Sequence, residues 1–232
     1  MNTPQNQSAG GCTAGNQNSQ KINYQRELEK TLETLKKEER VPSLLLHGCC
    51  APCSSYVMEY LASHFRITML FYNPNISEAA EYEKRKQELL RLIDSMPFLY
   101  PVSWMECEYD AKEFYKAVPD RANDREGGES CFQCYRLRLE KTAKEASAGG
   151  YDYFTTTLSI SPLKNAQKLN AIGRELAGQY QVPYLYSDFK KKNGYKRSIE
   201  LSAEYGLYRQ NYCGCIFSKR EAELRDLEKE EQ

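Results

Sequence analysis

Apolar residues fall along this chain in two patterns. Short unbroken runs, Leu44-Leu45-Leu46 and Ile67 to Tyr72, read as strands buried on both faces. Spaced leucines among charges read as helices. Tyr24 to about Arg40 carries Leu28, Leu32 and Leu35 on one stripe and ends before Pro42. Ser54 to about His64 turns Val57, Tyr60 and Leu61 inward, with Pro52 suited to the start of that helix. A charged helix is predicted from Ser77, as N-cap, to about Asp94, with Glu78 and Glu81 in its first turn.

Tyr100 to Trp104 reads as a third strand and Asp110 to Ala117 as a short helix. Val118 to Ser130 reads as a loop leading to a helix that runs to about Ser147 and stops at Gly149-Gly150. Tyr153 to Thr157 is a fourth strand, Leu158 to Lys164 a loop, and a helix follows to about Tyr180. Tyr184 to Tyr186 reads as a short strand, Asp188 to Arg197 as a basic loop, and Ser198 to Tyr205 as a helix ended by Gly206. Alternating strands and helices predict an α/β fold: a parallel sheet with helices on both faces. Right-handed crossovers then bring the turn after the first strand, the Asn73-Pro74-Asn75 turn and the Ser161-Pro162 turn to one edge.

The domain reading is a polar, disordered tail over residues 1–22, a leading helix over 23–40, a catalytic α/β domain over 41–218 and a charged helix over 219–232. Lysine plus arginine equals aspartate plus glutamate at 32 each, so net charge argues for no polyanionic partner and any nucleic-acid contact needs a local basic face. No stretch has the length and apolarity of a membrane span, and no signal peptide is apparent, so a cytoplasmic protein is expected.

Composition changes the picture through cysteine. Nine are present, and seven fall in three groups: Cys49, Cys50 and Cys53; Cys131 and Cys134; Cys213 and Cys215. Cys12 lies in the polar tail, and Cys107 reads as a small buried hydrophobe. In a reducing compartment such grouping points to metal or redox chemistry rather than structural disulfides. Two Cys-x-x-Cys pairs, 50–53 and 131–134, supply four thiolates for a Cys₄ zinc site or a 4Fe–4S cluster. Cys213-Gly214-Cys215 suits either a strained, reducible disulfide or two ligands of one metal ion. His47 reads as a satisfied core residue and His64 as a surface one. No Walker or dinucleotide fingerprint appears.

Five ordered motifs carry a resemblance. Leu46-His47-Gly48-Cys49-Cys50-Ala51-Pro52-Cys53, Phe71-Tyr72-Asn73-Pro74-Asn75-Ile76, Cys131-Phe132-Gln133-Cys134-Tyr135-Arg136, Thr155 to Pro162, and Tyr208-Arg209-Gln210-Asn211-Tyr212-Cys213-Gly214-Cys215 resemble the epoxyqueuosine reductases of the QueH type over roughly Val41 to Lys219. The resemblance implies a sheet of the adenine-nucleotide α-hydrolase (PP-loop, Rossmann-like) type, with cysteines in place of the phosphate loop. It implies reduction of epoxyqueuosine to queuosine at the wobble position of tRNA, the last step of queuosine biosynthesis, with an unidentified electron donor.

The resemblance also implies a 4Fe–4S cluster at Cys49, Cys50, Cys131 and Cys134, with Cys213 and Cys215 as a redox-active pair or as ligands of an additional iron ion. In the family a carboxylate can stand at the position of Cys53. Spacing makes Cys53 a ligand, so a second arrangement has Cys53 on the cluster and Cys49 with Cys213 and Cys215 on a second iron. Expected substrate contacts are Tyr72, Asn73, Ser161, Tyr208 and Gln210, with Arg85, Arg136, Arg209 and the 190–197 loop on phosphates. The runner-up readings are a tRNA sulfurtransferase, which needs a phosphate loop this chain lacks, and a Cys₄ zinc module that binds RNA.

Overall fold

A computed structural model describes residues 21–118 and 126–230. The expected tail up to residue 20, Cys12, and residues 119–125 of the expected 118–130 loop lie outside the described residues. Four strands form one parallel sheet in the order β3-β2-β1-β4. They are β1 (Ser43–His47), β2 (Arg66–Leu70), β3 (Ser103–Met105) and β4 (Tyr153–Thr156). Eight helices surround them: α1 (Tyr24–Lys37), α2 (Ala51–Leu61), α3 (Ala79–Ser95), α4 (Ala111–Ala117), α5 (Glu129–Ala148), α6 (Ala166–Tyr180), α7 (Gly194–Glu204) and α8 (Ile216–Glu230).

The unbroken apolar run of β1 has a direct cause. Leu44 and Leu46 face one layer, where α1, α2 and α3 contribute Leu28, Leu32, Val57, Met58 and Leu89. Leu45 faces the other, with Leu139, Leu169 and Leu176 from α5 and α6. Because both faces are covered, there is no polar alternation for a sequence pattern to show.

Register positions the functional edge. His47 at the end of β1 pairs with Leu70 at the end of β2 and with Thr156 at the end of β4. The three following turns therefore leave the sheet at one level, the edge at which open α/β sheets bind ligands.

Four local readings are corrected. Ser77 does not cap α3; its N–H and Oγ both donate to the Gly214 carbonyl, at 3.1 and 3.4 Å, and the helix starts at Ala79. Tyr184 to Tyr186 forms a single bridge to Phe154 instead of a strand, since Pro183 brings no N–H and the Ser187 amide is taken by Asn170. The third strand is displaced to Ser103–Met105, beyond Pro101. The basic loop is shorter than expected, because α7 begins at Gly194 and takes Lys196 and Arg197 onto a helix.

Candidate metal and substrate site

The cysteine turn after β1 is fixed from every side. The Gly48 N–H donates to the Leu70 carbonyl at 2.9 Å, and Asn73 Nδ2 donates to the Gly48 carbonyl at 2.9 Å. A side chain at Gly48 would place its Cβ 2.5 Å from Met69 Sδ, so the chain passes closer to β2 than any other residue allows. The Cys49 N–H donates to Thr157 Oγ1 at 3.2 Å. Below the turn, His47 contacts the Tyr72 carbonyl through Nε2 at 3.0 Å and Thr156 Oγ1 through Nδ1 at 2.9 Å. A carbonyl only accepts, so Nε2 carries a hydrogen. Burial, helped by the charge of Arg138, lowers the His47 pKa to about 4, which keeps the ring neutral at pH 7.

Cys50 is the N-cap of α2, Pro52 lies in its first turn, and Cys53 is one turn on from Cys49 and Cys50. The three sulfurs all lie within 4.8 Å of one another and could hold a metal ion. Hydrogen bonds from the Cys49 and Cys53 thiols hold Cys50 well below the usual thiol range. The contact with Cys50 pushes Cys49 up to about 11, and hydrogen bonds with Cys49 and then Cys50 push Cys53 well above its ordinary value. Cys50 is thus the thiol that gives up its proton first, and the other two lose theirs most readily when a cation takes their place.

Cys131 and Cys134 sit in the first turns of α5, one helical turn apart and buried. The Gly127 N–H donates to Cys131 Sγ at 3.3 Å, and burial pushes the Cys134 thiol up to about 11. Cys213 and Cys215 are carried on an irregular segment that crosses α3. Arg85 Nη1 donates to the Cys213 carbonyl at 3.0 Å, and the Tyr208 N–H donates to Glu88 at 2.7 Å. Gly214 has φ +124°, a left-handed conformation that lets both flanking cysteines turn toward the site.

Two cavities join these groups. A cavity of about 270 Å³ is lined by Cys49, Cys50, Cys53 and Cys213. A space of about 10 Å³ lies between Cys131, Cys134, Cys213 and Cys215. Cys213 is common to both, so the three groups share one region.

Of the expected substrate contacts, Ser161, Arg209 and Gln210 line the larger cavity. Gln210 Oε1 is buried there with no partner, and Arg209 Nη1 donates to Ser202 Oγ at 2.8 Å. The others lie elsewhere. Tyr72 is buried under the turn with its hydroxyl on Glu113 at 2.5 Å. Asn73 is spent on Gly48. Arg85 is 2% exposed and bound to Glu81 and the Cys213 carbonyl, so it holds the last cysteine segment and does not reach a phosphate. The Tyr208 hydroxyl donates to Glu81 at 3.2 Å, and Lys84 lies 3.5 Å from its ring centre. Arg136 pairs with Glu175 on an outer groove between α5 and α6. In the 190–197 loop, Lys190 pairs with Asp188, Lys192 with Glu29 and Arg197 with Glu59.

The sequence reading gave no role to Lys164 and Glu126, and took Arg138 only as a basic residue following the second cysteine pair. Lys164 pairs with Glu126 at 2.7 Å, and both line both cavities. Burial works against the Lys164 charge, but Cys213 and Glu126 outweigh it and raise its pKa well above the usual range. Arg138 is 1% exposed. Its signal was available: positions 131, 134 and 138 fall on one face of a helix.

Among the described residues no helix is long and apolar enough to cross a membrane. Compared with known proteins, residues 44–221 match the family described as "Epoxyqueuosine reductase QueH". The epoxyqueuosine reductase QueH of Staphylococcus epidermidis is 39% identical over 220 residues, covering 92% of each chain. That of Streptococcus pyogenes is 41% identical over 204 residues, covering 87% of this chain and 80% of its own. That of Thermotoga maritima is 36% identical over 192 residues, covering 80% of this chain and 95% of its own.

Proposed function

The chain belongs to the epoxyqueuosine reductase QueH family, and from that premise we propose that its cysteines hold an iron–sulfur centre through which epoxyqueuosine in a tRNA anticodon is reduced. The reductase activity places the chain among the oxidoreductases of queuosine biosynthesis. The proposal concerns how this site performs it, and the observation that carries it is Cys213, which lines both cavities and so joins three distant cysteine groups.

The residues suit such a centre. The candidate ligands are all thiols: Cys49, Cys50, Cys53, Cys131 and Cys134, with Cys213 and Cys215 either a redox pair or ligands of an additional iron ion. Arg85 and Arg138 are buried beside them, each with an Nη2 that has no hydrogen-bond partner. Arg85 has Glu81 as its anion, but Arg138 has no carboxylate partner among the described residues and calls for one; an iron–sulfur cluster on four thiolates is an anion. A Cys₄ zinc site would also satisfy the sulfurs, but zinc has no redox chemistry to offer a reduction.

Opening the epoxide to an alkene removes its oxygen as water and consumes two electrons and two protons. A bound 4Fe–4S cluster supplies electrons singly, and a further iron supplies a Lewis acid for oxygen. The chain supplies the rest. The larger cavity, at about 270 Å³, suits one unstacked base better than a stretch of nucleotides. Gln210 Oε1 offers that base a buried acceptor, Ser161 a hydroxyl, and Arg209 a cation at the mouth for phosphate. Thiols held outside disulfides and a tRNA substrate both suit the cytoplasm.

The test is anaerobic purification with iron, zinc and sulfide analysis, a visible spectrum, and an assay on epoxyqueuosine-containing tRNA with a chemical reductant. Iron with sulfide and reductant-dependent turnover are expected. C50A, C131A and C134A should each lose the chromophore, whereas C213A and C215A should lose turnover and keep most of it. Zinc alone in the wild-type protein, or iron retained in full by all three of the first variants, overturns the site assignment.

A further inference from the structure

We propose that Arg138 is the buried counter-charge of the thiolate-held centre: a positioning residue that acts through the Cys131–Cys134 and Cys213–Cys215 groups and sets how readily the centre accepts an electron. The proposal rests on the iron–sulfur reading above and goes beyond it by naming what tunes the centre.

Three observations carry it. First, Arg138 lines the small space enclosed by Cys131, Cys134, Cys213 and Cys215. Second, its guanidinium is only partly used. Nε donates to the Cys134 carbonyl at 3.2 Å, Nη2 is buried without a partner, and among the described residues no carboxylate lies within ion-pairing distance. Third, Arg138 stands one helical turn beyond Cys134 and two beyond Cys131, on the same face of α5 as both.

The other buried cations of the site are differently placed. Arg85 is matched by Glu81 and Lys164 by Glu126, so each brings its own anion. Arg138 does not. A buried guanidinium without a counter-ion is costly; Glu126, which lines the same small space, is taken by Lys164, and four cysteines stand around the rest. Cluster potentials respond to net charge and to hydrogen bonds at sulfur. A permanent cation beside the thiolates favours the more negative, reduced form. Arginine suits the task because it stays charged through the whole cycle and donates from a rigid fork.

The experiment compares wild type, R138M and R138K, purified anaerobically, by iron and sulfide content and by redox titration of the visible spectrum with a mediator. In R138M the ratio of reduced to oxidised centre at a fixed potential should fall at least tenfold, a shift of about 59 mV for a one-electron couple. R138K keeps the charge and should stay within about threefold of wild type on the same scale. An unchanged potential in R138M overturns the proposal. So does a shift in R138K as large as that in R138M, or loss of iron in both, because charge would then not be what matters. Should R138M fail to fold or to hold iron, R138Q is titrated in its place, and the same tenfold criterion decides. Iron-free wild-type protein overturns the reading of the centre itself, and shows before any variant is made.

Discussion

Asn73 Nδ2 and the Gly48 carbonyl are joined by a 2.9 Å hydrogen bond that ties the chain leaving β2 to the turn carrying Cys49 and Cys50. Both groups are out of reach of water, so removing the donor strands the carbonyl. N73A should cost about 1–3 kcal/mol of stability and lower the iron retained per chain. Urea denaturation and metal analysis check both, and a variant equal to wild type in the two measurements would show the bond to be incidental.

Gly214 is the second lever. At φ +124° a side chain is strained, and its Cβ would stand 2.9 Å from Ile76 Cγ1 and 3.1 Å from Arg85 Nη1. G214A should therefore displace Cys213 and Cys215 together. Turnover on epoxyqueuosine-containing tRNA is expected to drop at least tenfold with little change in far-UV circular dichroism. Full turnover would mean that the position of these two sulfurs is not critical.

Arg85 bridges Glu81 and the Cys213 carbonyl, with Tyr212 stacked 4.9 Å away. R85K cannot hold both partners in one plane. The segment from Tyr205 to Cys215 should become more open to limited proteolysis, while helices α5 and α6 stay as resistant as in wild type. Equal cleavage of the two proteins would remove Arg85 from this role.

His47 gives a pH dependence with a definite sign. Its pKa falls from 6.5 to about 4 on folding, chiefly through burial, so the unfolded chain binds the proton first as pH drops. The stability tied to the neutral ring is whole above pH 6.5 and is lost as pH falls toward 4, by about 3 kcal/mol in all. Urea unfolding of metal-free, reduced protein between pH 7 and pH 4 should show this slope. H47Q, which has no such proton to bind, should give a flatter curve, and parallel curves would refute the assignment.

Much of this was legible in the chain, and what was not has particular causes. The strands of β1 and β2 showed because both faces are buried, and their turns converge because parallel crossovers leave little choice. The cysteine spacing marked out three groups, and it takes the tertiary structure to place Cys213 on both cavities. Arg85 and Arg136 looked alike in sequence, yet one anchors the last cysteine segment from inside and the other pairs with Glu175 on the surface. Only tertiary neighbours separate them. Ser77 had the residue type of a helix cap, but a carbonyl 137 positions away claims it. The basic loop promised a phosphate-binding face and is largely spent on Glu29, Glu59 and Asp188.

Two cysteine groups are mounted on the sheet and on α5, and cannot shift without disturbing the core. The third is held to α3 through Arg85 and Glu88, and to the chain just before it through Ser77. This wall of the site therefore depends on side-chain hydrogen bonds to a helix that lines neither cavity. Substitutions along α3, far from any sulfur, are where differences in tRNA admission between relatives should first be sought.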